Sequence, residues 1–269
     1  MKEEINIRDL ILVTKKAGKE ILDVYTKDFI VENKSDHSPI TLADNNSHET
    51  ILAKLKALYP DIPVLSEEGQ TIPYSTRKLW DYFWLVDPLD GTKEFIKKNG
   101  EFTVNIALIH KNKPVLGVIH APAKGLFYFA QVNLGAYKLE DTEMLESFSL
   151  NEMLKRAQKL PVSQKKDKFT VIVSRTHLTK ETEAYIQKIK EKHASLDVLR
   201  LGSALKFGMV AEGTVDLYPR FAYSSEWDIA AGQIIVEMAG GRVFNIKTNE
   251  FLKYNKESLL NPSFVAKRP

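Results

Sequence analysis

The residues best placed to do chemistry in this chain are carboxylates. Asp87 and Asp90 stand in "WLVDPLDGTKEF" (84–95), at the end of the apolar run Phe83–Val86, and Gly91 and Thr92 follow at once. Glu67 and Glu68 close a second apolar run in "LSEEG" (65–69), and Asp228 lies near the start of "SEWDIAAG" (225–232). Gly91 permits a sharp turn, and "TKEFIKK" can open a helix whose free N–H groups bind anions, phosphate above all. One short stretch therefore offers carboxylate oxygens for a hard cation such as Mg²⁺ and amides for a phosphate oxygen. Each piece also has a plainer reading. Asp87–Pro88 and Asp90–Gly91 are turn signals, and Asp228 in the first turn of a helix complements its dipole. Three acidic clusters, each at the mouth of a buried element, are harder to dismiss as turn chemistry than one, while their spacing in sequence does not itself bring them together.

The elements that must position these groups follow from hydrophobic spacing. Residues 6–26 carry apolar positions at helical intervals, and "FIVEN" (29–33) reads as a short strand. Thr41 caps a helix that runs to about Leu58 before Pro60 ends it. "IPVL" (62–65) and "FWLV" (83–86) are buried strands, and 102–139 divides into four β-rich runs joined by hairpins. Residues 141–168 are polar and Lys-rich and read as a connecting segment. Strand and helix then alternate: strand 169–174, helix 178–191, strand "LDVLRL", helix 203–211, strand "TVDLYP", helix 226–239 closed by Gly240–Gly241, and "SFVAK" as a last strand. The expected fold is mixed α/β, layered helix–sheet–helix–sheet–helix, with subdomains 1–150 and 151–269.

Composition narrows the function. A chain of 269 residues with 43% hydrophobic and 27% charged content has the balance of a soluble globular protein with a substantial core. The net charge of +3 is spread without a long Lys/Arg block, which speaks against nucleic acid as a partner and suits a small anionic substrate. The absence of cysteine excludes disulfides, thiolate nucleophiles and zinc–thiolate sites. The N-terminus "MKEEINIRDL" lacks a signal-peptide core and no run of about 18 apolar residues exists. The expected location is the cytoplasm, with peripheral membrane association left open.

"SEE", "DPLDGT" and "WDIAAG", in this order and spacing, resemble the signature of the lithium-sensitive, Mg²⁺-dependent phosphatases of the inositol monophosphatase superfamily. The resemblance covers about 34–241. "DPLDGTKEFIKKNGEFTVNIALI" and "GSALKFGMVAEGTVDLYPRF" narrow it to the 3′(2′),5′-bisphosphate nucleotidase (CysQ) branch.

The resemblance implies up to three Mg²⁺ ions. Glu67, Asp87 and the Leu89 carbonyl hold the first; Asp87, Asp90 and Asp228 hold the second; a looser third shares Glu67, and Glu68 stands behind the site. Thr92 orients an attacking water with Asp44, from "SPITLADNN", as its acidic partner. Without the resemblance, Asp44 reads first as an ordinary acid in the first turn of a capped helix. Gly91 and Thr92 contact the scissile phosphate. Ser174 and His177 of "SRTH", Gly202, Ser203 and Lys206 of "GSALK", and Arg220 contact the rest of the substrate, with Glu226 orienting Arg220 or the adenosine. The implied reaction is hydrolysis of the 3′-phosphate of adenosine 3′,5′-bisphosphate to AMP and phosphate. The alternatives are inositol monophosphatase or another sugar-phosphate phosphatase activity, and a non-enzymatic phosphate-binding regulator, against which the complete ligand set speaks. The oligomeric state is monomer or homodimer.

Overall fold

The computed structural model describes residues 5–33, 39–140, 143–162, 168–193 and 195–268. The first part of the chain forms α1 (Ile7–Tyr25), β1 (Val31–Asn33), β2 (Pro39–Thr41), α2 (Leu42–Leu58), β3 (Val64–Ser66), α3 (Tyr74–Arg77), β4 (Tyr82–Asp90) and α4 (Thr92–Ile96). A meander of β5 (Thr103–His110), β6 (Lys113–Ala121), β7 (Leu126–Gln131) and β8 (Gly135–Glu140) follows, then α5 (Leu150–Arg156) and β9 (Gln158–Lys159). The remainder is β10 (Phe169–Ser174), α6 (Lys180–Lys190), β11 (Leu196–Leu201), α7 (Leu205–Glu212), β12 (Leu217–Arg220), α8 (Glu226–Met238), β13 (Arg242–Asn245) and β14 (Phe264–Lys267).

Two larger sheets organise these elements. One has seven strands in the order β3-β4-β5-β6-β7-β8-β9, and the other has five in the order β11-β10-β12-β14-β13. Alternation along the seven-stranded sheet sends Trp84, Val86, Val104, Ile106 and Phe129 toward a core shared with α1 and α2. The intervening residues Phe83, Leu85, Ala107, Ile109 and Tyr128 enter a second core shared with α7 and α8. That middle layer is tight: a Cβ on Gly117 of β6 would lie 2.8 Å from Ala231 Cα of α8, so only glycine lets the helix approach this strand. On the outer face of the five-stranded sheet, Ile186 of α6 packs with Val171, Val173, Leu217 and Val265. The layering is thus helix, sheet, helix, sheet, helix, as the residue patterns indicate.

Local departures have physical causes. The segment 141–168 is more than a connector: its described part includes a 3₁₀ turn at Glu143–Ser147, α5 capped by Ser149, and β9 paired with β8. The short elements α3 and β13 were not expected, because four residues carry too little periodicity to be recognised. The strand expected at 83–86 runs on to Asp90. Its register against β5 shifts from Asp87↔Asn105 to Asp90↔Thr103, three residues on one strand against two on the other. That extra residue is a bulge, and it absorbs Pro88, which cannot donate to a regular ladder.

Candidate active site

The bulge decides where the carboxylates point. In an unbroken strand, residues three apart face opposite sides of the sheet; one extra residue removes that parity and lets Asp87 and Asp90 serve one site. The turn is pinned by Ser47 Oγ, which donates to the Pro88 carbonyl at 2.7 Å, and by Leu89 N–H, which donates to Asp87 Oδ1 at 3.1 Å. Glu67 arrives on the parallel neighbour β3, its N–H bonded to the Val86 carbonyl at 3.1 Å. Asp228 arrives on the first turn of α8, where its Oδ2 accepts from Ser225 N–H at 3.0 Å.

Carboxylate oxygens of Glu67, Asp87 and Asp228 lie within 4.8 Å of one another. Burial first, then the charges of Glu67, Asp90, Asp228 and Glu68, hold the Asp87 carboxyl well above its ordinary range. Burial, with Asp90 and Glu67 beside it, pushes Asp228 up to about 8. Burial raises Asp90 to about 6, against the lowering effects of Lys206 and of a hydrogen bond from Asn105 Nδ2. Crowded, anionic, all-oxygen ligands are costly to ionise together, and a hard divalent cation removes that cost. The donor set therefore fits Mg²⁺, which prefers a few carboxylates and leaves coordination positions for substrate and water.

Beside the carboxylates, Thr92 Oγ1 donates to Asp44 Oδ1 at 3.2 Å and lies 3.4 Å from the Leu89 carbonyl. Asp44 is buried, and its other oxygen accepts from both N–H and Oγ1 of Thr41 at 2.7 Å. Gly91, at φ 94°, makes the left-handed turn that starts α4.

A cavity of about 300 Å³ opens over these groups. Its lining includes Glu67, Asp90, Gly91, Thr92 and Asp228 together with Ser174, His177, Ser203, Lys206 and Arg220, and the two groups meet where Ser203 Cβ stands 3.3 Å from the place of a Cβ on Gly91. Lys206 is buried, donates to the Ser203 carbonyl and lies 5.2 Å over the Tyr218 ring. Burial pushes its ammonium down to about 8, although Asp90 pulls the other way. Arg220 Nη2 donates to the Tyr223 carbonyl at 3.0 Å. His177 is held neutral, its pKa pushed down to about 4 by desolvation and by Arg220, Lys93 and Lys206.

Three expectations need adjustment. Gly202 does not line the cavity; its N–H donates to Glu101 Oε2 at 2.8 Å and is committed to the framework. Asp87 and Leu89 are buried and do not line the cavity either. Glu226 orients neither Arg220 nor a nucleoside: its buried carboxylate accepts from Asn255 N–H at 2.7 Å and pairs with Lys256. It sits on the first turn of α8 but faces the chain at 254–257, away from the cavity.

Several residues here carried no legible signal. Lys93 and Glu94 line the cavity, and Glu94 Oε1 accepts from Thr176 Oγ1 at 3.0 Å. In sequence they are ordinary helix-surface charges after Thr92. Tyr218, Tyr223 and Trp227 add aromatic surface around Arg220, and only the residues flanking "DLYPR" and "WDIAAG" hinted at them.

Comparison with known proteins agrees with this geometry. The inositol monophosphatase family profile matches residues 2–268. The 3′(2′),5′-bisphosphate nucleotidase CysQ of Shigella flexneri is 41% identical over 254 residues, covering 94% of this chain and 95% of that protein. The Haemophilus influenzae protein of the same name is 35% identical over 264 residues, covering 96% and 91%. The crystal structure of CysQ from Bacteroides thetaiotaomicron superposes with a TM-score of 0.89 at 45% identity, over 98% of this chain and 97% of that one. A Thermotoga maritima IMPase shares the fold, with a TM-score of 0.75 at 23% identity over 96% of this chain and 90% of that one.

Proposed function

The chain belongs to the inositol monophosphatase family, and we propose that it is a 3′(2′),5′-bisphosphate nucleotidase that removes the 3′-phosphate of adenosine 3′,5′-bisphosphate, leaving AMP and phosphate. The observation that carries this reading is one cavity lined by two unlike sets of groups. Clustered carboxylates suit a metal-borne phosphate, and Ser203, Lys206 and Arg220 in the same lining suit a second anion. A monophosphate would leave that second set without a partner.

In this reading Glu67, Asp87, the Leu89 carbonyl, Asp90 and Asp228 would hold two or three Mg²⁺ ions, which would supply charge neutralisation at the phosphate oxygens and a more acidic water. Thr92 Oγ1 donates its hydrogen bond to Asp44, accepts one from the attacking water and fixes its direction. As the water oxygen bonds to phosphorus and the bond from phosphorus to the 3′-oxygen breaks, the water proton passes through Thr92 to Asp44 Oδ1, whose Oδ2 stays bonded to Thr41, and the departing 3′-oxygen takes a proton from solvent to leave as the hydroxyl of AMP. The N–H groups of Gly91 and Thr92 face the scissile phosphate, and Lys206, Ser203 and Arg220 hold the distal one. Neutral His177, hydrogen-bonded to Ser174, offers a ring nitrogen to substrate without acting as a base. Residues 1–150 supply the water-activating pair and most metal ligands; 151–269 supply Asp228 and the distal contacts. No helix among the described residues is long and apolar enough to cross a membrane.

Phosphate release by the Asp90→Asn variant tests the assignment. Loss of turnover with retained folding is expected; a variant as active as its parent contradicts the site.

A further inference from the structure

Glu101 precedes β5 and is nearly buried, outside every group used above. Its carboxylate accepts three hydrogen bonds: from Arg175 Nε at 2.8 Å, from Arg175 Nη2 at 2.7 Å and from Gly202 N–H at 2.8 Å. Arg175 Nη2 also donates to the Arg200 carbonyl at 2.9 Å. One carboxylate at the entry to an interior strand of the seven-stranded sheet thereby holds the chain just after β10 and just after β11, both in the five-stranded sheet.

The Glu101 backbone works at the same joint. A Cβ on Gly91 would lie 3.0 Å from the Glu101 carbonyl oxygen, and a Cβ on Gly202 would lie 2.7 Å from that oxygen and 2.5 Å from Glu94 Cγ. Glu101 is therefore wedged between the glycine that turns the carboxylate loop and the glycine that introduces Ser203. The Ser203–Lys206–His177 segment is seated against the carboxylate loop here, with Ser203 Cβ 3.3 Å from the place of a Cβ on Gly91. Ser203 follows Gly202 directly, and Lys206 is bonded to the Ser203 carbonyl. His177 stands two residues beyond Arg175, with Thr176 tied to Glu94 at 3.0 Å. Burial of Glu101 opposes its ionisation, but Arg175 and the Gly202 amide outweigh it, so the strut stays charged.

We propose that Glu101 is a positioning residue that sets how the Ser203–Lys206–His177 segment seats against the carboxylate loop, and so selects substrates whose two phosphates match the spacing of the groups that these two segments present. The inference rests on the nucleotidase reading and adds a determinant for it. A bidentate guanidinium–carboxylate pair suits this task, because its planar fork fixes direction as well as distance.

Steady-state kinetics at saturating Mg²⁺ on the parent, E101Q and R175K provide the test, with adenosine 3′,5′-bisphosphate and adenosine 3′-phosphate as paired substrates. Small misplacements of a binding group are enough to give the expected rise of about tenfold in KM for the bisphosphate, with KM for the monophosphate, and kcat for both, changed less than about twofold. The Mg²⁺-induced rise in melting temperature should match that of the parent. R175K, which keeps the charge and loses the fork, should shift the same ratio by less, and it carries the test alone if E101Q does not fold. Lower thermal stability with an unchanged ratio of the two KM values, or equal change in both, overturns the inference and leaves Glu101 a packing residue. A parent that does not distinguish the two substrates overturns the nucleotidase reading itself, and this inference with it.

Discussion

Thr92 Oγ1 lies 3.2 Å from Asp44 Oδ1, so the first residue of one helix meets an acid in the first turn of another. Asp44 does two things with two oxygens: Oδ2 completes the cap of α2 with Thr41, and Oδ1 faces Thr92. The cap occupies one oxygen and leaves the other placed for the proposed catalytic role.

Removing either half of the relay should slow turnover while leaving substrate affinity near that of the parent. Thr92→Val and Asp44→Asn are each expected to lower kcat by about 100-fold or more, the usual contribution of positioned proton transfer. Asp44→Asn should also cost about 1 kcal/mol of stability through the weakened cap. Single-turnover phosphate release and thermal melts on the same samples check both, and an unchanged kcat contradicts the relay.

The carboxylate cluster makes the metal-free protein sensitive to pH. Asp228 titrates at about 8 in the folded chain and Asp90 at about 6, against about 3.9 when unfolded. The folded state therefore binds more protons between these limits, and metal-free stability should fall as pH rises from about 4 to 8. Mg²⁺ binds the ionised form, so its stabilising effect should grow over the same window. Melting temperatures at pH 5 and pH 8, with Mg²⁺ and with chelator, measure this; an equal Mg²⁺ increment at both pH values contradicts it.

Lys206 is expected to grip the distal phosphate only while protonated. Its ammonium is pushed down to about 8, so KM for the bisphosphate should climb as pH rises past that value. Lys206→Met should raise KM at all pH values, by about tenfold or more for a lost charge-assisted contact. Lys206→Arg, whose charge persists, should flatten the pH profile. A profile in Lys206→Arg that bends as the parent's does would assign the titration elsewhere.

Gly202 should not tolerate a methyl group. Its φ lies outside the left-handed region, so the barrier is space alone: the added carbon would meet Glu94 Cγ at 2.5 Å and the Glu101 carbonyl at 2.7 Å. Gly202→Ala is expected to cost about 1–3 kcal/mol, as overpacking in a closed site does. Denaturant melts check the value, and a neutral substitution would mean that this joint yields.

Much of this was legible in the sequence, for identifiable reasons. Long amphipathic helices and alternating strands declare their buried faces, so α1, α2, β5–β8 and α8 were expected close to where they lie. Asp87, Asp90, Glu67 and Asp228 stood out because each breaks or follows an apolar run. The bulge at Pro88–Leu89 did not stand out, since a Pro after Asp reads as a turn, and only pairing with β5 reveals that the ladder resumes at Asp90. Glu94, Glu101 and Arg175 were invisible for a different reason. They are surface-type residues whose roles come from partners up to 101 positions away in the chain, as with Glu101 and Gly202. Glu226 misled because its neighbour Trp227 lines the cavity while its own side chain turns to Lys256.

The most direct test of the central claim is phosphate release from adenosine 3′,5′-bisphosphate set against inositol 1-phosphate, each with Mg²⁺ and with chelator. A kcat/KM for the bisphosphate at least about tenfold above that for the inositol phosphate, and lost with chelator, is the predicted result for a site that engages both phosphates, since one charged contact is worth about 1.5–3 kcal/mol. Comparable or faster turnover of inositol 1-phosphate, or bisphosphate hydrolysis that persists without divalent cation, would contradict it.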